Sequence, residues 1–342
     1  MDTLNVSTAA IKVQPSSPVP YLVLVTFLTF NLLVCAEVIG LFGIAENILN
    51  IENFRRQGFH DNANITLTAL MISDIGALVI QQACNMIINP WIQEYETFMV
   101  KSQLFIPANY VHEYFIRVSG VITSFAALER CLCVVLPLKV KGIVTKRVAL
   151  CVNLMIFVVL TLYLLPPFDV FYTEPRYLPN LNKYILAMVI KGNRNSYFNV
   201  YYFIADMFLP YATFLALICF NVIIIAKLKS KSKWRLSTSG KQVSTTRLSY
   251  KERRAVFMLV NISVIFIVCL IPHSGLSTAL GIERSLSVDG SNFDIYKLCY
   301  SFTMLLETLN CSVSIYVYYR MSSKYRTTFH EIISPCKRLG LK

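Results

Sequence analysis

Seven stretches of mostly apolar residues, each about as long as a helix needs to cross a bilayer, constrain this chain most. They are Tyr21 to Ile51, Ile65 to Asn89, Gln103 to Leu136, Val148 to Pro167, Phe198 to Lys227, Ala255 to Leu280 and Tyr296 to Tyr319. In hydrocarbon every backbone N–H and C=O must be paired within the protein, so runs of about 20 apolar residues read as membrane-spanning helices. These runs use nearly the whole chain and leave no room for a separate soluble domain. The expected fold is all-α, a seven-transmembrane helix bundle at 21–319 between an extracellular segment at 1–20 and a cytoplasmic tail at 320–342. Composition agrees: 55% of residues are hydrophobic, only 15% are charged, and the mean hydropathy of +0.55 lies outside the usual soluble range.

The placement of charge orients the bundle. Of the 32 Lys and Arg, 23 fall in the loop after the first span, from Arg130 to Arg147, from Lys227 to Arg254 and from Arg320 onward. Eight fall in the alternate segments, and Arg117 lies within the third span. The positive-inside bias makes the first group cytoplasmic and puts the N-terminus outside, as in a multi-pass plasma-membrane protein. Residues 1–20 lack the basic start and small-residue cleavage site of a removed signal peptide, so the first span is expected to direct insertion. Asn5, in Asn5-Val6-Ser7, is then an outer glycosylation acceptor, whereas Asn64, in Asn64-Ile65-Thr66, is on the inner side and unused.

None of the 10 Cys sits in an outer loop, so no disulfide framework is expected. Cys336 follows a short amphipathic basic stretch and reads as a palmitoylation candidate or a free thiol. The inner loop "KLKSKSKWRLSTSGKQVSTTRLSYKERR" is either a membrane-adjacent linker or a docking surface for a cytoplasmic partner, modulated by phosphorylation. No nucleotide loop, metal-ligand spacing or nucleophile-base arrangement stands out. Enzyme chemistry, cofactors and nucleic acid are therefore not expected.

Polar residues inside apolar spans carry the most information, because each is expensive at bilayer depth and faces the bundle interior. Asn47 lies in the first span, Asp74 in the second, Ser119 in the third, and Asn310 and Ser314 in the seventh. The third span ends on the adjacent charges Glu129 and Arg130, which call for a partner or a task. Pro210 and Pro272 each remove a backbone hydrogen bond and favour kinks in the fifth and sixth spans.

Taken in order, these residues resemble the rhodopsin-like (class A) G-protein-coupled receptors. Asn47 matches the family's first-helix Asn and Asp74 its second-helix Asp. Glu129-Arg130-Cys131 matches its Asp/Glu-Arg-Tyr triplet, and Pro210 and "FIVCLIP" match its fifth- and sixth-helix prolines. "LNCSVSIYVYYRMSSKYRTTF" resembles the seventh-helix Asn-Pro-x-x-Tyr region, ending at Tyr318 and running into a short amphipathic eighth helix. The resemblance implies a switch in which Arg130 pairs with Glu129 and Glu252 at rest and meets a heterotrimeric G protein once the sixth helix swings outward. It also implies an internal sodium site, or a water-bridged cluster, at Asp74, Ser119, Asn310 and Ser314. Receptor kinase, arrestin and membrane lipid are implied as further partners.

The sequence departs from the family at several points. Ser314 and Ile315 stand where the seventh helix has Asn and Pro. Leu270 stands where Trp is usual, as does Asn153 or one of its apolar neighbours. Ile218 stands where an inner Tyr is common, and Phe105 where the outer third-helix Cys would be.

In the outer half, His112, Glu113 and Arg117 on the third span, with Asp206, His273, Tyr300 and Glu307 from the fifth, sixth and seventh, are candidate ligand contacts. Glu113 and Arg117, four apart, also fit a simple intrahelical pair. Both signs of charge, two His and several aromatics suit a small polar or zwitterionic ligand, or a peptide terminus, better than a lipid. His112 stands where aminergic receptors carry an Asp, which disfavours a biogenic amine. The missing outer disulfide, short tail and degenerate seventh-helix motif resemble the gastropod chemosensory receptors. A neuropeptide or transmitter receptor is the alternative, and a seven-span ligand-gated channel like the insect odorant receptors is a third reading that the charge bias opposes.

Overall fold

The computed structural model describes residues 19–333 apart from 60, 90–100, 138, 179–181, 191–199, 238–249 and 288–289. Helix α1, Tyr21–Gln57, contains a π-helical stretch at Thr29–Ala36. It stops at Gly58, whose φ of 85° is open to glycine and strained for other residues. Helix α2, Asn62–Ile88, is capped by Asp61, whose carboxylate accepts from the Ala63 N–H at 3.1 Å. Helices α3, Lys101–Val135, and α4, Lys146–Val170, follow.

Helix α5 starts at Val200, passes through a π-helical turn at Phe203–Phe208 and continues as Leu209–Ser237. Pro210 cannot donate to the turn before it, and the backbone widens at that turn. Helix α6, Tyr250–Ile282, carries Pro272 in its interior. The chain then forms α7, Phe293–Ser312, α8, Ser314–Met321, and α9, Ser323–Ile333.

Helices α1 to α6 are each long and apolar enough to cross a membrane. Their outward faces carry exposed large apolar residues, among them Phe42, Leu154, Leu162, Leu215, Val222 and Val268. Apolar surface on this scale suits lipid contact. Helix α7 covers most of the expected seventh run, but it breaks at Val313 and its inward face is rich in Ser, Thr and Glu.

The all-α expectation needs one correction. Strands β1, Phe171–Leu178, and β2, Lys183–Ile190, form an antiparallel hairpin between α4 and α5, in register from Phe171↔Ile190 to Leu178↔Lys183. The two segments carry Phe171, Tyr172, Thr173, Tyr177, Tyr184, Ile185, Val189 and Ile190, residue types that favour strands. Asn182 leaves the turn with φ 47°, a conformation Asn tolerates.

The interior is apolar at two levels. Leu78, Ile116, Phe214, Leu217, Phe266 and Leu270 fill the middle. Phe54, Leu70, Met71, Ile122, Tyr318 and Tyr325 fill the end that carries Arg130. Leu270 thus occupies the core position where the resemblance calls for Trp, while Ile218 is 47% exposed and turns away from the interior. A Cβ at Gly43 would lie 2.0 Å from Ser312 Oγ, so α1 and α7 approach as closely as they do only with glycine there. None of the nine described cysteines forms a disulfide. Asn64 is buried, and its amide donates to the Gly58 carbonyl at 2.9 Å. Asn5 and Cys336 lie outside the described residues.

Candidate functional site

All seven candidate ligand residues converge at the hairpin end of the bundle. Helix α3 places His112, Glu113 and Arg117 on successive turns of its inner face. Arg117 lies 3.5 Å from Glu113 and pairs at close range with Asp206, and its Nε–H donates to the Ala205 carbonyl at 3.0 Å. The π-turn before Pro210 presents Ala205 and Asp206 to it. The intrahelical Glu113–Arg117 pair is therefore one link of a longer chain of charges.

His273, one residue beyond Pro272, bridges two carboxylates: Nε2 lies 3.0 Å from Glu113 and Nδ1 lies 3.2 Å from Glu307. Glu307 also lies 3.1 Å from His112 Nε2, and His112 Nδ1 donates to the Ala77 carbonyl at 3.0 Å. Three carboxylates thus meet one guanidinium and two imidazoles. Mutual pairing of this kind is what allows so many ionisable groups to be buried together.

Tyr300 adds an aromatic wall. Its hydroxyl donates to Asn109 at 2.6 Å, and its ring contacts His273, Tyr296 and Phe105. Phe105 thus packs where the resemblance calls for a cysteine. The cavity bounded by Glu113, Arg117, Asp206, His273 and Glu307, with Phe266 and Leu270 beneath, measures about 40 Å³.

A second polar layer lies deeper. Ser119 donates to Asp74 at 2.8 Å, and Asp74, Ser119, Asn310 and Ser314 all line one cavity of about 20 Å³, room for a single water or ion. Their oxygen donors fit a hard cation such as sodium. Asn47 donates to the Gly43 and Cys311 carbonyls, both at 2.8 Å, tying α1 to α7.

The sequence reading missed Glu46, Asn50 and Thr66. Glu46, 1% exposed, accepts from the Ser314 hydroxyl at 2.9 Å and from the Ile315 N–H at 2.8 Å. Asn50 donates to Ser314 at 3.0 Å and accepts from the Tyr325 hydroxyl. A glutamate and further asparagines inside the first apolar run were the available signal.

At the Arg130 end, Glu129 accepts from Thr66 at 3.1 Å, and Thr66 in turn accepts from Asn153 at 3.2 Å. Asn153 thereby anchors α4 to Glu129 of α3 through Thr66 of α2. Among the described residues the buried atoms Glu129 Oε1, Arg130 Nε and Tyr318 Oη have no hydrogen-bond partner. Glu252 lies on the first turn of α6, with its side chain outside the described set.

A family profile described as 7 transmembrane receptor (rhodopsin family) matches residues 46–318, from Glu46 in α1 to Tyr318 in α8. None of the curated proteins matches the chain. Six apolar helices with lipid-suited faces make it a multi-pass membrane protein. Matched over most of its length, this chain belongs to the rhodopsin family of seven-transmembrane receptors.

Proposed function

We propose that this receptor binds a small polar extracellular solute in the cavity beneath the hairpin and converts that binding into activation of a heterotrimeric G protein. In this reading α7 and α8 together form the seventh span and α9 the amphipathic eighth helix. The N-terminus is extracellular, the C-terminus is cytoplasmic, and the protein acts at the plasma membrane as a chemosensory receptor of the gastropod type. Receptor kinase and arrestin would engage the same inner face after activation.

The observation that carries the reading is the convergence of residues from four helices: Glu113, Arg117, Asp206, His273 and Glu307 line one cavity, with His112 against Glu307 and Tyr300 against His273. A charged solute enters by taking over one link of the chain, for example Asp206 from Arg117. Only the difference in its affinity for the two arrangements moves the equilibrium. At the other end Arg130 is the group that leaves Glu129 and Glu252 to meet the G protein, while Asp74 and its neighbours hold sodium or water in the resting arrangement.

The test is a screen of amino acids and other waterborne solutes on cells expressing the receptor, read as GTPγS uptake in their membranes. Arg130→Ala is expected to abolish a response obtained this way while surface expression persists. Undiminished signalling would refute the switch.

A further inference from the structure

We propose that the buried cluster adjoining the cavity beneath the hairpin binds a divalent transition cation of the zinc type through His112, Glu113 and Glu307, with a fourth position open toward His273 and an incoming solute. The inference rests on reading this cavity as the ligand site. One donor atom from each of the three residues lies within 4.8 Å of the others, and the residues are 2%, 7% and 1% exposed. Tetrahedral zinc with bonds near 2.0–2.2 Å brings donors to roughly 3.4 Å apart, a contraction that small rotations of two glutamate side chains supply.

Three further observations point the same way. His112 is oriented as a metal-bound histidine is: Nδ1–H donates to the Ala77 carbonyl, which turns Nε2 toward the carboxylates. Glu113 Oε1 and His273 Nδ1 are buried without a hydrogen bond, although His273 Nε2 and Glu307 Oε1 lie 3.0 Å and 3.2 Å from them. Both pairs are close but misaligned, so neither holds Glu113 or Glu307 against the turn that a metal at His112 Nε2 would require. Finally, Glu113 and Glu307 also line the cavity of about 40 Å³, which has room for the water or two that would complete the ion's shell.

The chemistry selects the metal. A +2 ion matches the two carboxylates, and Arg117 is already balanced by Asp206. An imidazole among the donors favours zinc-like ions over calcium or magnesium, which take oxygen ligands.

The full-length receptor in lipid nanodiscs, dialysed against micromolar zinc and analysed for metal by mass spectrometry, is expected to hold one zinc. His112→Gln or Glu307→Gln should weaken binding by more than the roughly 10–100-fold that loss of an outer-shell partner costs. His330→Gln, an exposed histidine on α9, should change nothing. Failure to retain zinc, or equal retention in all variants, would overturn the proposal.

Because a variant in a buried cluster can fail to fold, the unmodified receptor is also loaded with cobalt(II). Visible absorption well above that of the aqueous ion is expected, and absorption no stronger than it would overturn the site. Neither readout needs agonist or G protein. Signalling without metal binding sinks the metal site alone, and metal binding without any solute-driven signalling sinks the receptor reading alone.

Discussion

Glu46 offers the sharpest test of how this chain keeps the break between α7 and α8 without the family's proline. In an unbroken α-helix the Ile315 N–H would bond the Cys311 carbonyl, four residues back. Here the two halves of that bond are turned to adjacent residues of α1: the Ile315 N–H donates to Glu46 at 2.8 Å, and the Cys311 carbonyl accepts from Asn47 at 2.8 Å. Glu46→Ala leaves the Ile315 N–H and the Ser314 hydroxyl without their acceptor. A buried orphaned donor costs about 1–3 kcal/mol, and the lost side-chain volume adds to it. We expect a total destabilisation of about 2–4 kcal/mol, or a fall in Tm of about 4–8 °C at about 2 °C per kcal/mol for a chain of this size.

Ile315→Pro removes the orphaned N–H at the second residue of α8, a first-turn position where proline is tolerated. The double variant Glu46→Ala/Ile315→Pro should therefore recover about 1–2 kcal/mol relative to the sum of the single changes. Thermal unfolding of detergent-purified receptor, followed by reaction of its buried cysteines with a thiol-sensitive dye, reads all three. Additive single effects, or a Glu46→Ala receptor as stable as the parent, would show that Glu46 does not hold the break.

Two further outcomes follow from the charges at either end. Glu252→Ala should raise basal GTPγS uptake if Glu252 restrains Arg130, and an unchanged baseline would remove it from the switch. Asp206→Lys places like charge against Arg117 and should shift agonist potency by at least about tenfold, since one buried charge link exceeds about 1.4 kcal/mol. Asp206→Lys/Arg117→Glu should restore part of that loss, and unchanged potency in the single variant would exclude Asp206 as a contact.

Most of the helical framework was legible because length and apolarity decide it. Six apolar runs became helices whose ends lie within a few residues of the expected bounds, apart from the inner end of α5, which runs on by ten. The hairpin was not legible. Its residues lie outside any apolar run, and strand pairing depends on a cross-strand partner up to 19 residues away, as in Phe171↔Ile190, rather than on local period. The meeting of His112, Glu113, Arg117, Asp206, His273, Tyr300 and Glu307 was legible as a set, since a charge in an apolar span must find another. Their wiring was not: sequence spacing favours Glu113 with Arg117, while the packed bundle adds Asp206 to Arg117 and sets His273 between Glu113 and Glu307. Glu46 was hidden by its neighbour, because Asn47 already accounted for polarity at that depth.

Both ends of the bundle bury polar atoms without a well-aligned partner, and those atoms indicate where a switch gets its energy. Beneath the hairpin, charges from four helices are linked in one chain in which Glu113 Oε1 and His273 Nδ1 remain misaligned. At the other end Glu129 Oε1, Arg130 Nε and Tyr318 Oη are buried without partners among the described residues. Each such orphan holds about 1–3 kcal/mol that a rearrangement giving it a partner would release. Moving an equilibrium from 1:99 to 99:1 takes about 5.5 kcal/mol. Two newly made hydrogen bonds at the Arg130 end would supply a large part of that, leaving the solute to contribute the remainder by replacing one link in the hairpin-end cavity. A weakly bound solute is then sufficient to switch the receptor, provided it binds the rearranged cavity better than the resting one.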